Sequence, residues 1–167
     1  MKALSAKSKR GDRVDREKLG RYAELYSTAV YRAAYSYTRN HADSEDIMQE
    51  AFMRLYRAGD SFESDENVKA WLIRVAINIS KDYLKSPWIH KRAELDSGIT
   101  YEGVEDRELD EAMDKLKPDY RTAVFLRYYM GYSVKETAEI LGISETNAKA
   151  RLKRAREKLK TLLTDEI

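Results

Sequence analysis

Residues 133–160, SVKETAEILGISETNAKARLKRAREKLK, spell two helices and a tight turn. Ser133 with Glu136 three residues on is a capping box, which satisfies backbone amides left free at a helix start. Val134, Thr137, Ala138 and Leu141 then recur at helical spacing, and Gly142 suits the left-handed conformation that stops a helix. Ser144 is a natural N-cap for the helix that follows. Laid out at about 100° per residue, Ala148, Leu152, Ala155, Leu159 and Leu162 fall within roughly 80° and predict one buried stripe. Lys149, Lys153, Arg156 and Lys160 line one flank of that stripe, and Arg151, Arg154 and Lys158 the other. Thr146, Ala150, Lys153 and Glu157 occupy the outward pole. From Lys149 to Lys160 there are seven basic residues against one acid, Glu157. A basic run alone also describes a solvated surface helix. A capped preceding helix and a glycine turn make it a helix-turn-helix, whose second helix enters a major groove while its flanks hold phosphates.

Working outward, the 167 residues suffice for one domain or two small ones. Seven glycines and two prolines leave little material for β-turns, and twelve tyrosines with 36% charged residues fit a helical protein. The net charge of +2 hides a segregated distribution. Residues 1–21 hold eight Lys/Arg against three acids, residues 43–50 four acids and no base, and residues 105–114 six acids against Arg107. The absence of cysteine excludes disulfide and thiolate chemistry. No apolar run approaches a membrane span and the N-terminus has no secretory apolar segment, which predicts a cytoplasmic location.

The organisation expected is all-α: two small helical domains, of three and four helices, joined by a flexible linker. Residues 1–16 are basic and aperiodic and read as a flexible arm. The first domain, 17–87, starts with a helix whose inner face is Leu19, Tyr22, Tyr26, Ala29, Val30, Ala33 and Tyr37. Asn40 to Ala42 make a turn, and Asp43 or Ser44 caps a second helix with Ile47, Ala51, Phe52 and Leu55 inward. Gly59 ends it, a polar loop follows, and a third helix from about Asp65 to Lys85 turns Val68, Trp71, Leu72, Val75, Ile79 and Tyr83 inward. Residues 88–104 read as linker. In the second domain, 105–167, Leu109, Met113 and Leu116 suggest a helix, and Pro118 starts another that Gly131 stops.

Three blocks, DSEDIMQEAFMRLYR, WLIRVAINISKDYL and LKPDYRTAVFLRYYMGYSVKETAEILGISETNAKARLKRAREKL, resemble a bacterial RNA polymerase sigma factor of the minimal extracytoplasmic-function type, group four of the sigma-70 superfamily. The resemblance covers roughly residues 17–86 and 105–163, with the blocks in the family's order. It implies that the helix from Asp43 to Arg57 docks on the clamp helices of the polymerase largest subunit, with the second domain near the flap. Asp46, Gln49, Glu50 and Arg54 form a polar ridge there, beside Phe52. The third helix resembles the promoter-melting element, so Lys69, Arg74, Asn78 and Lys81 are expected along a separated minus-ten strand. Asn78 matches an asparagine that holds a flipped base, a task suited to an amide that both donates and accepts. The loop Gly59–Ser64 matches the family's specificity loop, where Phe62 either meets the base or anchors the loop. Trp71 at this spacing fits the core better than a base platform, and Tyr83 fits either.

In the second domain the resemblance assigns minus-thirty-five reading to Lys149, Ala150, Lys153 and Arg154, with Thr146, Asn147 and Arg151 beside them. Arg127 matches a phosphate- or base-contacting arginine, and Ser133 and Lys135 stand where a helix N-terminus meets phosphate. The chain departs from many relatives, which carry Gly-Thr-Val at Thr146, Asn147 and Ala148 and a small hydroxyl residue at Ala150. Glu63, Asp65 and Glu66 also bring negative charge beside the expected DNA path.

The function expected is therefore promoter recognition and opening with core RNA polymerase, without covalent chemistry, cofactor, metal or small-molecule substrate. Promoter DNA and an anti-sigma factor are the other expected partners, with no membrane insertion and a place at the bacterial nucleoid when active. A plain helix-turn-helix regulator leaves the first two blocks without a role. A nuclease built on Asp43, Glu45, Asp46 and Glu50 lacks the second ligand cluster that two-metal geometry needs. A pure protein-interaction module leaves the basic helix unexplained.

Overall fold

The computed structural model describes residues 14–59, 62–86 and 107–164. Every regular element among these is a helix, and the chain divides between Ser86 and Pro87 into two compact units. Residues 1–13 of the expected arm, and 88–104 of the expected linker, lie outside the described residues.

The first unit is a three-helix bundle of α1 (Arg16–Thr38), α2 (His41–Ala58) and α3 (Asp65–Leu84), each packed on the other two. Its core joins Tyr22, Tyr26 and Val30 of α1 to Ile47, Ala51 and Leu55 of α2 and to Val68, Leu72, Ala76 and Ile79 of α3. Val14 belongs to this core at 1% exposure, and the Asp15 carboxylate accepts from the Glu17 amide as the α1 N-cap. Val14 and Asp15 thus belong to the packing and capping that start α1. Trp71, Val75 and Tyr83 are partly buried against the core, whereas Ala70, Ile73, Ile77 and Ser80 are fully buried. Thus α3 is covered over a wider arc than one apolar stripe. On α1, Tyr37 is only partly buried, and Ala33 to Ser36 are buried in succession.

Two residues turn α1 into α2. Arg39 takes a left-handed conformation (φ 50°), its amide donates to the Tyr35 carbonyl at 2.9 Å, and its guanidinium lies 5.0 Å over the Tyr35 ring. A side chain in that region costs roughly 1–2 kcal/mol, which the ring contact and the closing hydrogen bond offset. Asn40 then extends the chain and caps α2, its side chain accepting from the Asp43 amide at 2.9 Å. The expectation of Asp43 or Ser44 as cap is corrected: both lie buried in the first turn of α2, and the Ser44 hydroxyl donates to the Asn40 carbonyl.

The second unit contains α4 (Arg107–Asp114), α5 (Pro118–Val124), α6 (Val134–Leu141) and α7 (Glu145–Thr164). A π-helical turn, Phe125–Tyr129, continues α5, with the Met130 amide reaching back to the Phe125 carbonyl at 3.0 Å. Gly131, at φ 73°, ends it, and Gly142, at φ 67°, closes α6. The buried Arg121 guanidinium donates to the Leu116 carbonyl at 3.0 Å, tying α5 to the end of α4. All three of α4, α5 and α6 pack on α7.

Asn40 is buried and its acceptor serves one amide, so Asn40→Ala is expected to destabilise the first unit by about 1–2 kcal/mol. Asn40→Asp, which keeps an acceptor, should stay within a few tenths of a kcal/mol of the parent. Urea unfolding curves of the three proteins, compared at constant slope, check this ranking.

Candidate nucleic-acid and protein interfaces

The helix-turn-helix is built as its capping residues require. The Ser133 hydroxyl oxygen accepts from the Glu136 amide at 3.1 Å, and the Ser144 oxygen accepts from the Asn147 amide at 3.1 Å. Ala148, Leu152, Ala155 and Leu159 are buried and pin α7 to its neighbours, while Leu162 is partly buried. Thr146, Asn147, Lys149, Lys153 and Arg154 are exposed together on the N-terminal half of α7. Lys149 is 3.9 Å from Glu145, so part of its charge is screened one turn back. Ala150 is partly covered. Arg151 turns toward the domain rather than the outward pole: it is partly buried, and its Nη1 is shielded from solvent without a hydrogen-bond partner. Ser133 and Lys135 are exposed at the start of α6, where free amides and the helix dipole favour an anion.

Arg127 sits in the π-helical turn, partly buried. Its guanidinium lies 5.6 Å over the Tyr128 ring and reaches the Tyr132 carbonyl at 3.4 Å. Tyr128 in turn accepts a 2.7 Å hydrogen bond from Arg156 of α7. Sequence periodicity gives no sign of this contact, because its partners are 28 positions apart.

In the first unit, Arg74, Asn78 and Lys81 lie within about 60° of one another on α3, and Asn78 is the exposed member between two partly buried cations. Lys69 is not on this face; at 100° per residue it is displaced by about 120° or more from each of the three. Phe62 meets the Trp71 ring edge-on at 5.5 Å, and both are partly buried against the core. Phe62 thus anchors the loop while keeping an exposed edge. Asp60 and Ser61 of that loop lie outside the described residues. The acid at Asp65 is engaged: Arg21 holds it at 3.2 Å and the Tyr22 hydroxyl donates to it at 3.2 Å. Burial, then the Asp65 and Glu66 charges, pushes the neighbouring Tyr26 phenol up, so that it stays neutral in this acidic corner.

On α2, Asp46, Gln49 and Arg54 are exposed and Glu50 partly so. Glu50 accepts from Arg54 at 3.3 Å and lies 3.9 Å from Arg57, whereas Asp46 has no ion-pair partner among the described residues. Phe52 packs against the core, whereas Met53, which a search for charged patterns passes over, is 45% exposed at the centre of the polar ridge. Among the described residues no group of three or more His, Asp or Glu is arranged to hold a metal ion, and no helix is long and apolar enough to cross a membrane.

Comparison with known proteins matches both units. Residues 23–88 match the sigma-70 region 2 family and residues 106–159 the sigma-70 region 4 family. The extracytoplasmic-function RNA polymerase sigma factor SigM of Bacillus subtilis is 36% identical, over 83% of this chain and 91% of its own. The RNA polymerase sigma factor SigV of the same organism is 31% identical, over 81% of this chain and 85% of its own. Among solved structures, the sigma factor RpoE in complex with the anti-sigma factor NepR from Bartonella quintana aligns with a TM-score of 0.70 at 25% identity, covering 89% of this chain and 98% of that one.

The Lys149–Glu145 pair yields a test of the exposed α7 face. Glu145→Gln removes the competing carboxylate, and a surface pair of this kind is worth about 0.2–1 kcal/mol. The substitution should raise affinity for duplex DNA by roughly twofold at low salt, with the gain shrinking as salt rises. Fluorescence anisotropy across a salt series measures both effects.

Proposed function

The chain belongs to the sigma-70 family of bacterial RNA polymerase sigma factors, among its extracytoplasmic-function members, and on that footing we propose how its residues share the work. Sigma factors of this family direct RNA polymerase to promoters, and this chain is such a transcription initiation factor. The domains expected from sequence, 17–87 and 105–167, take separate tasks. The observation that carries the division is that each has its own polar face, exposed Asn78 between partly buried Arg74 and Lys81 on α3, and exposed Thr146, Asn147, Lys149, Lys153 and Arg154 on α7.

α7 reads the minus-thirty-five element. Lys149, Lys153 and Arg154 reach bases and phosphates from the exposed N-terminal half, Thr146 and Asn147 supply short polar contacts, and Ala150 packs against the groove floor. Ser133 and Lys135 hold a phosphate at the start of α6, and Arg127 a second. The half-buried Arg151 supports the helix and meets DNA only at its edge.

α3 opens the minus-ten element. Asn78 takes the edge of an extruded base, Arg74 and Lys81 follow the phosphates of the separated strand, and the exposed edge of Phe62 gives a base somewhere to rest. Lys69, on another side of α3, contributes only general charge. Each stacked step costs on the order of 1.4 kcal/mol to lose, so a few captured bases suffice to nucleate a bubble. Binding differences of this kind drive melting without covalent chemistry. The engagement of Asp65 by Arg21 lessens the repulsion that its bare charge would exert on the strand.

α2 docks on the polymerase clamp helices through Asp46, Gln49 and Glu50, with Arg54 holding Glu50 in place and exposed Met53 supplying apolar contact. Phe52 acts from beneath, fixing the helix on its bundle. An anti-sigma factor, as in the RpoE complex, holds the chain inactive in the bacterial cytoplasm until it joins the polymerase at the nucleoid.

Run-off transcription with purified core polymerase tests this reading. The chain should direct specific initiation from a subset of promoters, and DNA binding without any stimulation of the polymerase would leave only a plain helix-turn-helix regulator. Asn78→Ala should reduce open-complex formation about tenfold or more, seen by permanganate reactivity, while minus-thirty-five protection persists. Lys153→Glu should do the reverse, weakening protection by roughly tenfold to a hundredfold, since it replaces an attraction in the groove by a repulsion.

A further inference from the structure

The second unit brings two arginines from different helices onto one tyrosine. The Tyr128 ring lies 5.6 Å beneath the Arg127 guanidinium, and its hydroxyl takes the Arg156 Nη1–H at 2.7 Å. Tyr128 itself is 50% exposed, so its hydroxyl and both cations stand at the surface. Neither arginine has an ion-pair partner among the described residues. Elsewhere Arg21, Arg54 and Arg107 are each held by a carboxylate, on Asp65, Glu50 and Glu111, which fixes the side chain but cancels its charge. Arg156 is held by a neutral phenol, which orders the guanidinium and leaves its charge whole.

The contact also has a direction. Arg156 lies on the same flank of α7 as Lys149, Lys153 and Lys160, within about 60° of all three. It is two turns beyond Lys149, or about 10.5 Å along the axis. The major groove is about 12 Å wide, so a helix reading bases near Lys149 has reached the phosphate wall by Arg156. Tyr128 and Arg127 are neighbours in the π-helical turn, and the Tyr128 hydroxyl meets that flank at Arg156. A guanidinium carries five N–H donors and Arg156 uses one on the phenol, which leaves a pair free for a phosphate.

We propose that Tyr128 is a positioning residue that preorganises Arg156, together with Arg127, as a clamp for a DNA phosphate on the wall of the minus-thirty-five groove. Tyr128 touches no base; it acts through the two cations. The proposal rests on the reading of α7 given above and adds to it a contact that no periodicity in the chain displays. Holding a long side chain before binding lowers the ordering cost at the moment of association.

The test uses holoenzyme reconstituted from core polymerase and the full chain, on a promoter duplex that supports wild-type run-off, with affinity measured across a salt series. Arg156→Ala should weaken binding about threefold to tenfold near 0.2 M salt and lower the slope of log affinity against log salt by about one, uniformly across promoter sequences. Tyr128→Phe keeps the ring under Arg127 but releases Arg156; it should weaken binding by roughly twofold to fivefold. Added to Arg156→Ala, it should cause no further loss. Were the contact only a strut between helices, Tyr128→Phe would shift the thermal midpoint with affinity and slope unchanged; that result overturns the clamp. If wild-type holoenzyme binding proves indifferent to the minus-thirty-five sequence, the reading of α7 itself fails, and the clamp with it.

Discussion

Everything the second unit does depends on how little of α7 is used to hold it. Ala148, Leu152, Ala155 and Leu159 form a seam one residue wide, alternating small and large, on a helix of 20 residues. Two alanines let neighbouring backbones approach closely, and two leucines fill the space between them. A wider apolar stripe would have added about 1.5–3 kcal/mol for each further buried side chain, but it would have consumed the flanks that carry lysine and arginine. The narrow seam is therefore a constraint with two sides. It leaves the flanks and the outward pole to the polar and basic residues, and it makes the start of the helix rely on local ties such as the Ser144 cap.

The first unit solves a different problem, since α3 must be both core and interface. Leu72, Ala76 and Ile79 meet α1 and α2, yet Ile73 and Ile77 are buried too, so only a narrow strip remains for Arg74, Asn78 and Lys81. The exposed asparagine thus stands on a helix buried against both of its neighbours. Capture of an unstacked base needs such a mount, because a donor that moved with the base would not favour the opened state over the duplex.

The helices were legible because their determinants are local. Caps at Ser133 and Ser144, Pro118 at a first turn and glycines at 131 and 142 all act within four residues of themselves. The α2 cap was misread for the same reason: Asn40, Asp43 and Ser44 are all competent acceptors, and the choice was made by the left-handed turn at Arg39, which no propensity of arginine announces. The π-helical turn was invisible because Phe125–Tyr129 differs from an α-helix only by which carbonyl each amide selects. Site residues followed the same rule. Lys153 and Arg154 are exposed because helical phase alone puts them there, and phase alone also sets Lys69 apart from Asn78. What sequence could not show was which charges were already engaged.

That distinction changes the electrostatic reading of the whole chain. Counting residues makes Asp65 an obstacle to DNA and Arg156 one cation among seven. Structure pairs Asp65 with Arg21 from 44 positions away, and so turns an apparent repulsion into a tie between α1 and α3. It pairs Arg156 with an uncharged hydroxyl, and so turns a flexible cation into a fixed one without lowering its charge. Glu50 and Lys149 lie between these cases, each facing an opposite charge close enough to weaken its reach toward a partner. The field that DNA or polymerase meets is thus set less by the number of charged residues than by the partner each has within the fold.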